Sequence, residues 1–457
     1  MVWPVNTATD RGRTPTVVSP APVPRGGQLL FTIVFWCGLA TTVQLWWLRL
    51  PPAGSSDGVL TEAGRLTGLL AGYALLAQVL LMGRMPWLNR WIGAHTLTGW
   101  HRKLGAVIVV AVLGHLTLIV AGYAAYSEQP VLRQAWTMFD TYRDVAAAFA
   151  AAGLVGLLGL LGVRGLRRRM PYELWYWLHL ASYLVLLLGY AHQFRYGREL
   201  ADAGFGRWYW IGLHVFVAAN VAWGRVVVPV FSNLRLRLTV LDAVREPDGS
   251  VSVYVGGSDL GRLPVRGGQF FRWRFLTPGL WWQSHPFSLS AIGEGWWRIT
   301  VKPTGGYTRR LRLLRPGVRV WAQGPFGAFT AEHRRRPRAL LIAAGSGIAP
   351  IRALLQETPL GAIVIYRAHG QSQLLFTEEL ADLARQRQAT VWYVLGSRHD
   401  EQPRRLLSSR GLRGLVPDVT DRDVYLCGPP ELIRACAGVL RRVGVPRRQI
   451  HLDPFQL

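Results

Sequence analysis

The chain has 457 residues, half of them hydrophobic, with 20 Trp, only 17% charged residues and a mean hydropathy of +0.18. Those values exclude an ordinary soluble enzyme and point to a membrane protein with room for two or three domains. The net charge of +26 raises nucleic acid as a partner. The arginines, however, fall in short clusters beside apolar runs and within the C-terminal half, and no nucleic-acid-binding module motif is present, so that partner is excluded. Cys37, Cys427 and Cys436 form no disulfide framework and no C-x-x-C metal site.

Residues 1–27 are rich in Pro, Thr and Arg without an apolar face, and read as a disordered cytoplasmic arm rather than a signal peptide. Six apolar segments come next, at 28–48, 61–82, 97–123, 145–163, 172–193 and 208–230, each able to cross about 30 Å of hydrocarbon. Arg11, Arg13 and Arg25 precede the first. Arg84, Arg90, Arg102 and Lys103 surround the second connection, Arg164, Arg167, Arg168 and Arg169 fill the fourth, and Arg235 and Arg237 lie past the sixth. The positive-inside rule then predicts a multi-pass protein of the cell membrane with both termini cytoplasmic.

From about residue 233 short β-like runs such as "VSVYVGG" and "GGQFFRWRFL" alternate with Gly/Pro turns, which predicts a small antiparallel barrel to about residue 333. From 334 strands such as "RALLIAAG", "GAIVIYRA", "ATVWYVLG" and "DVYLCGP" alternate with helical segments, a βαβ pattern that predicts a parallel nucleotide-binding sheet. The expected domains are therefore 1–27, 28–232, 233–333 and 334–457. The fold class is a six-span membrane α-helical bundle, an antiparallel β-barrel domain and an α/β nucleotide-binding domain.

The third span, "HRKLGAVIVVAVLGH", carries His101 and His115 about 21 Å apart along a helix. The fifth carries His179 and His192 about 20 Å apart. In antiparallel spans His101 faces His179 near the inside and His115 faces His192 near the outside. Imidazoles suit iron, copper and zinc. Paired axial histidines, with Gly105, Ala106, Ala111 and Gly114 leaving room for a flat ring, suit haem best. The thirteen-residue step leaves His192 about 140° around an ideal helix from His179, so kinking near Gly189 or helix tilt has to compensate. Satisfied intramembrane histidines or a proton path is the competing reading, and it holds for the unmatched His95 and His214.

The barrel region contains "HPFSLS", then "VKPTGGYTRRL" and "GPFG". A flavin needs an aromatic face, a hydroxyl near N5, and backbone N–H groups with cationic help for its pyrophosphate. Phe287, Ser288, and the turn from Gly305 through Thr308 with Arg309 supply these in order. The βαβ region opens with a strand, "GSGIAP" and a helix, where glycines let backbone approach a pyrophosphate. "YLCGPPELI" comes after another strand about 80 residues later.

From about residue 95 onward the chain resembles the ferric reductase and NADPH oxidase superfamily, in which a haem-bearing helical bundle is fused to a ferredoxin-NADP reductase-like module. The resemblance rests on the four histidines, "HPFSLS", "GSGIAP" and "CGPP" in that order. It implies two b-type haems on His101/His179 and His115/His192, and FAD contacts from His285, Pro286, Phe287 and Ser288. It also implies a flavin-phosphate role for Gly306 and Thr308, and NAD(P)H contacts from Gly345, Gly347, Pro350, Cys427 and Gly428. Phe455 matches the near-terminal aromatic that covers the flavin, which with Ser288 and Cys427 makes the expected catalytic set. The acidic residue two before it, commonly Glu, is the shorter Asp453.

The expected activity is electron transfer from cytoplasmic NAD(P)H through FAD and two haems to a small-molecule acceptor outside, with ferric chelates first and dioxygen, giving superoxide, as the alternative. A haem-binding membrane anchor with a regulatory reductase-like half is the rival from another class, and intact turnover motifs argue against it. NADPH is the expected donor and NADH the alternative, because Arg367, Ser397 and Arg398 stand past two strand ends and suit a 2′-phosphate. No acid stands at those strand ends, with Asp400 two residues beyond Arg398. The bilayer is the expected macroscopic partner; the residues name no protein partner.

Overall fold

The structure is a computed structural model that describes residues 25–50, 56–92, 94–167, 169–170, 172–397 and 400–454. These fall into two compact units that divide between Val228 and Pro229.

The first unit is helical. Six helices are long and apolar enough to cross a membrane: Gly26–Trp47, Gly58–Leu81, Thr96–Tyr126, Arg143–Leu161, Leu174–Tyr196 and Phe205–Leu236. Helix begins at Arg25, so residues 25–27 extend the first span rather than the arm; residues 1–24 lie outside the described set. The second and third spans approach through glycine. A β-carbon on Gly64 would lie 2.8 Å from Ile119 Cδ1, and one on Gly122 would lie 2.8 Å from the Thr61 backbone nitrogen. Small residues at such crossings let helices gain dispersion contact where lipid offers no hydrophobic driving force.

Two helices depart from regularity. The fifth span breaks at Ala181, between Tyr172–Leu180 and Ser182–Tyr196. The sixth contains a π turn at Trp223–Val227, where Gly224 passes so close to the second connection that a β-carbon would sit 3.0 Å from the Arg84 carbonyl carbon. An extra residue in one helical turn re-aims the side chains beyond it.

The second unit opens with six antiparallel strands: β1 Thr239–Arg245, β2 Val251–Gly256, β3 Phe270–Phe275, β4 His285–Gly293, β5 Trp296–Val301 and β6 Val320–Phe326. Their order is β1-β2-β5-β4-β3-β6. A bridge from Thr239 to Arg319, with Val240 N–H donating to the Val318 carbonyl at 2.9 Å, brings the outer strands together. Period-two patterning explains the strands: in β3, Phe271, Trp273 and Phe275 are buried while Phe270, Arg272 and Arg274 are half-buried.

Five parallel strands complete the unit: β7 Arg338–Ala344, β8 Ile363–Ala368, β9 Thr390–Leu395, β10 Arg422–Gly428 and β11 Ile450–Pro454, in the order β11-β10-β7-β8-β9. β7 and β10 are almost wholly buried, and past Arg338, Arg422 and Asp423 at their starts they are the apolar runs that a sheet between helical layers needs. The order reverses between β7 and β10, so their carboxyl ends form the crevice in which such sheets bind ligands.

Two buried polar clusters join barrel and sheet. Arg298 on β5 makes two bonds to Glu379, at 2.7 and 2.8 Å, and Arg352 Nε reaches Glu379 at 2.8 Å. Burial works against the Glu379 carboxylate, but hydrogen bonds and charge from Arg298, then Arg352, outweigh it and hold its pKa below the usual range. At the opposite end of the sheet the fully buried Asp423 accepts from the backbone N–H groups of Arg335, at 2.6 Å, and Arg336, and its Oδ1 lies 2.9 Å from His451 Nε2. Asp423→Ala strands those donors in the segment that connects barrel to sheet. We expect a loss of about 3 kcal/mol, read as a lower unfolding midpoint in denaturant, with FAD content unchanged below the transition.

Candidate cofactor sites

In the helical unit the structure brings the four histidines together in the expected pairs. The ring centroids of His101 and His179 are 5.9 Å apart, and those of His115 and His192 are 6.4 Å apart. Metal–nitrogen bonds of about 2.0–2.1 Å on both sides of an ion separate two trans imidazole centroids by roughly 6 Å. Among the described residues no group of three or more His, Cys, Asp or Glu could hold a bare metal ion. Each pair offers two imidazole nitrogens at that spacing, which fits a metal whose other ligands come from a flat ring.

The neighbouring backbone orients two of these rings. His115 Nδ1 lies 2.7 Å from the Gly64 carbonyl oxygen, and His101 Nδ1 lies 3.4 Å from that of Gln78. With Nδ1 donating to a carbonyl, Nε2 carries the free lone pair that a metal needs. Gly68 clears the space, since a β-carbon there would lie 2.6 Å from His115 Nδ1. His179 stacks on Trp175 at 5.0 Å, and Arg167 lies over that indole at 4.3 Å. The two carbonyl supports were not legible in the sequence, because carbonyl acceptors leave no residue signature.

The angular mismatch of His179 and His192 is resolved at Ala181 and not at Gly189. Ala181 N–H donates to Leu178 O at 3.1 Å as well as to Trp177 O at 3.3 Å, and Leu184 N–H donates to Ala181 O at 2.9 Å. This local tightening breaks the helix two residues past His179, while Gly189 lies inside the continuous helix Ser182–Tyr196. His214 instead places Nδ1 2.9 Å from Trp210 O, a satisfied core histidine.

In the barrel, His285 and Phe287 lie on β4, where Phe287 pairs with Phe271 and Ser288 with Phe270. Tyr307 joins them, its ring 3.9 Å from His285 and 6.5 Å from Phe287. Its hydroxyl is buried with no hydrogen-bond partner, and burial raises its pKa. Gly305 and Gly306 open the short helix Gly306–Arg310 with nothing near the positions their β-carbons would take. Thr308 Oγ1 accepts from the Gly305 N–H at 2.9 Å, so its hydroxyl shapes the turn. An orphaned phenol, stacked aromatics and an open glycine turn beside Arg309 fit a flavin and its pyrophosphate.

In the sheet, "GSGIAP" and "CGPP" meet at the β7/β10 crevice. Gly347 touches β10 so closely that a β-carbon would sit 2.6 Å from the Cys427 carbonyl carbon and 2.9 Å from the Gly428 nitrogen. Gly345 adopts φ +54° and Gly428 φ +153°. Pro350 is buried in the first turn of the helix Ile348–Leu355, which leaves exposed Gly345 and half-buried Ser346 at the mouth. These backbone donors fit a dinucleotide phosphate.

Cys427 is buried and its Sγ lies 4.0 Å from Asp453 Oδ2 on the paired strand β11. Burial, then the Asp453 charge, raises the thiol's pKa, and burial pushes that of Asp453 up from 3.8 to about 6. The native site therefore prefers protonated Asp453. Its cost to stability is absent below about pH 4, grows between the ordinary and raised values, and is full above about pH 6. Asp453→Asn should accordingly stabilise the protein at pH 8 by on the order of 3 kcal/mol and leave it nearly unchanged at pH 4, measured as unfolding midpoints at the two pH values.

The strand ends expected to read a 2′-phosphate are less simple than their sequence. Arg367 is buried and donates to the Gly396 carbonyl at 3.4 Å. Asp400 folds back so that its Oδ2 accepts the Ser397 N–H at 2.7 Å, which puts an acid at the end of β9 after all. Arg398 and Phe455 lie outside the described residues.

Residues 67–190 match the family model described as ferric reductase like transmembrane component, and residues 341–438 match that of the oxidoreductase NAD-binding domain. An NADPH oxidoreductase of Mycobacterium tuberculosis is 28% identical over 239 residues, covering 50% of this chain and 62% of its own. A flavohemoprotein of Burkholderia sp. is 29% identical over 225 residues, covering 46% of this chain and 57% of its own. The chain thus spans less than two thirds of these relatives. The Amycolatopsis cytochrome P450 reductase GcoB has a TM-score of 0.41 at 23% identity, covering 48% of this chain and 69% of that one. The two family matches establish the expected fusion of a ferric reductase-like transmembrane domain with an NAD-binding reductase module at the level of domains.

Proposed function

We propose that this chain, a ferric reductase-like transmembrane domain fused to an NAD-binding reductase module, is an NAD(P)H-dependent membrane oxidoreductase that carries electrons outward. Its path runs from cytoplasmic NAD(P)H through FAD and two b-type haems to an extracytoplasmic acceptor, with ferric chelates as the preferred class. The observation that carries this reading is the pair of facing imidazoles at two levels of one helical unit. Bound flavin would supply the conversion of a two-electron hydride into single electrons, and haem iron held by His101 with His179 and by His115 with His192 would supply a one-electron relay.

The chain's own residues do the remaining work. Gly345, Ser346 and Gly428 bring backbone to the dinucleotide, while Gly347 keeps β7 and β10 in contact beneath it. Ser288 would hold its hydroxyl toward flavin N5, and Tyr307 would donate its orphaned hydroxyl to the bound group. Glu379, Arg298 and Arg352 keep the barrel and the sheet in one arrangement, which preserves the hydride distance. The arginine-rich connections of the helical domain support a cytoplasmic position for both termini.

The test is NADPH and NADH oxidation by the purified protein with ferric citrate, quinone or oxygen offered separately. Reduction confined to oxygen would replace the ferric reading with a superoxide-producing one. NADPH is the proposed donor, through Arg398 and Ser397. Arg398→Ala should raise KM for NADPH roughly 10-fold, about 1.4 kcal/mol, with NADH almost unchanged, and equal losses would remove that role. Asp400→Asn should shift preference further toward NADPH, because the carboxylate repels a 2′-phosphate.

A further inference from the structure

The connection between the third and fourth spans is a helix that turns its apolar residues away from the protein. The third span ends at Tyr126 and the fourth begins at Arg143. Between them Val131–Thr141 forms a separate helix of 11 residues, roughly 16 Å long. It lies at the end of the helical unit that holds His115 and His192, since the third span runs on from His115 to Tyr126 and the fifth from His192 to Tyr196.

This helix has three faces. At about 100° per residue, Leu132, Trp136 and Phe139 fall within about 60° of one another, and they are 85%, 68% and 43% exposed. Arg133, Thr137 and Asp140 occupy the next sector and are exposed as well. The third sector meets the bundle through a polar side chain: Gln134 is buried, and its Oε1 accepts from Ser127 Oγ at 2.9 Å. For a helix surrounded by water this arrangement is inverted, because folding there buries the apolar stripe and leaves the glutamine outside.

Ring contacts set the depth of the stripe. Trp136 stacks on Phe139 at 5.8 Å, and Phe139 meets the edge of Phe149 at 6.1 Å. Phe149 lies six residues inside the fourth span, about 9 Å along its axis from Arg143. An amphipathic helix in a membrane interface has its polar face in water and its apolar face about 5–10 Å into the headgroup and acyl boundary, where tryptophan is favoured.

We propose that Val131–Thr141 is a membrane-interface anchor whose Leu132, Trp136 and Phe139 insert between lipids of the leaflet beside His115 and His192. Lipid, rather than a second copy of the chain, is the occupant because the helix is held at the level where two spans end. Four residues separate it from the third span and one from the fourth, and its contacts to Ser127 and Phe149 fix it against both. The anchor rests on the helical unit crossing a bilayer, and the test separates the two failures.

Leu132→Cys, Trp136→Cys, Arg133→Cys and Thr137→Cys are each spin-labelled in the full chain, with Val110→Cys as reference. The background is Cys37→Ser, since Cys427 and Cys436 are buried. In phosphatidylcholine and phosphatidylglycerol vesicles, collisions with oxygen and with a water-soluble nickel complex give the depth of each label. Val110, 74% exposed near the middle of the third span, should read as deep hydrocarbon. Labels at positions 132 and 136 should lie about 5–10 Å below the phosphates, and those at 133 and 137 at or above them. Equal nickel access at all four helix positions, with the reference still deep, overturns the anchor and leaves the spans standing. Shielding of positions 132 and 136 from oxygen and nickel alike marks a protein contact and overturns lipid as the occupant. Nickel access at position 110 overturns the membrane crossing itself, and the anchor with it.

Discussion

His115→Leu is expected to lower the haem content from two per chain to one and to reduce acceptor reduction by orders of magnitude, while flavin reduction by NAD(P)H proceeds at its normal rate. Leucine replaces the imidazole with an apolar side chain, so a helix in lipid keeps its packing but loses the nitrogen opposite His192. The Gly64 carbonyl stays satisfied, because Thr67 Oγ1 also donates to it at 2.9 Å. A fold defect would remove both haems, whereas loss of a ligand removes only one. A pyridine assay counts the haems, and stopped-flow absorbance separates flavin from haem reduction. Two haems in the variant would sink the pairing.

Gly347→Ala should reduce flavin reduction by NAD(P)H about 100-fold while FAD and haem contents hold. Its β-carbon would lie 2.6 Å from the Cys427 carbonyl carbon and 2.9 Å from the Gly428 nitrogen, atoms of a fully buried strand that cannot rotate away. Either the glycine turn lifts or the end of β10 moves, and both carry the dinucleotide. Gly345→Ala is the matched control: nothing lies within 4 Å of its β-carbon, but φ is +54°. It should cost only about 1–2 kcal/mol of backbone strain and little of the rate. If the two variants behave alike, the close approach of Gly347 to β10 is not what holds the site.

Periodicity and residue type made much of this protein readable in advance. Six apolar runs, alternating strands and glycine turns each carry a local signal, and the histidine pairs show through because imidazoles are rare in such runs. Contacts made by backbone atoms were hidden. The carbonyls of Gly64 and Gln78 that orient His115 and His101 belong to a different span, 51 and 23 residues away. The Arg298–Glu379 bond spans 81 residues, and in an arginine-rich chain neither partner stands out. Asp400 looked too distant from the end of β9 until the turn brought it back to Ser397.

Residue chemistry along short segments was enough to settle the membrane-spanning class, the order of the three folded parts, which four histidines pair and where the glycine turns lie. Three-dimensional packing was needed to settle how the thirteen-residue step is absorbed, at Ala181, because helix breaks answer to packing and hydrogen-bond strain as much as to composition. Packing also settled which arginines are spent inside the protein and which keep donors free. Arg298 is consumed by Glu379, whereas Arg65 and Arg198 keep donors with no partner among the described residues. That difference arises from distances between segments far apart in the chain, where a guanidinium's partner is set by the fold.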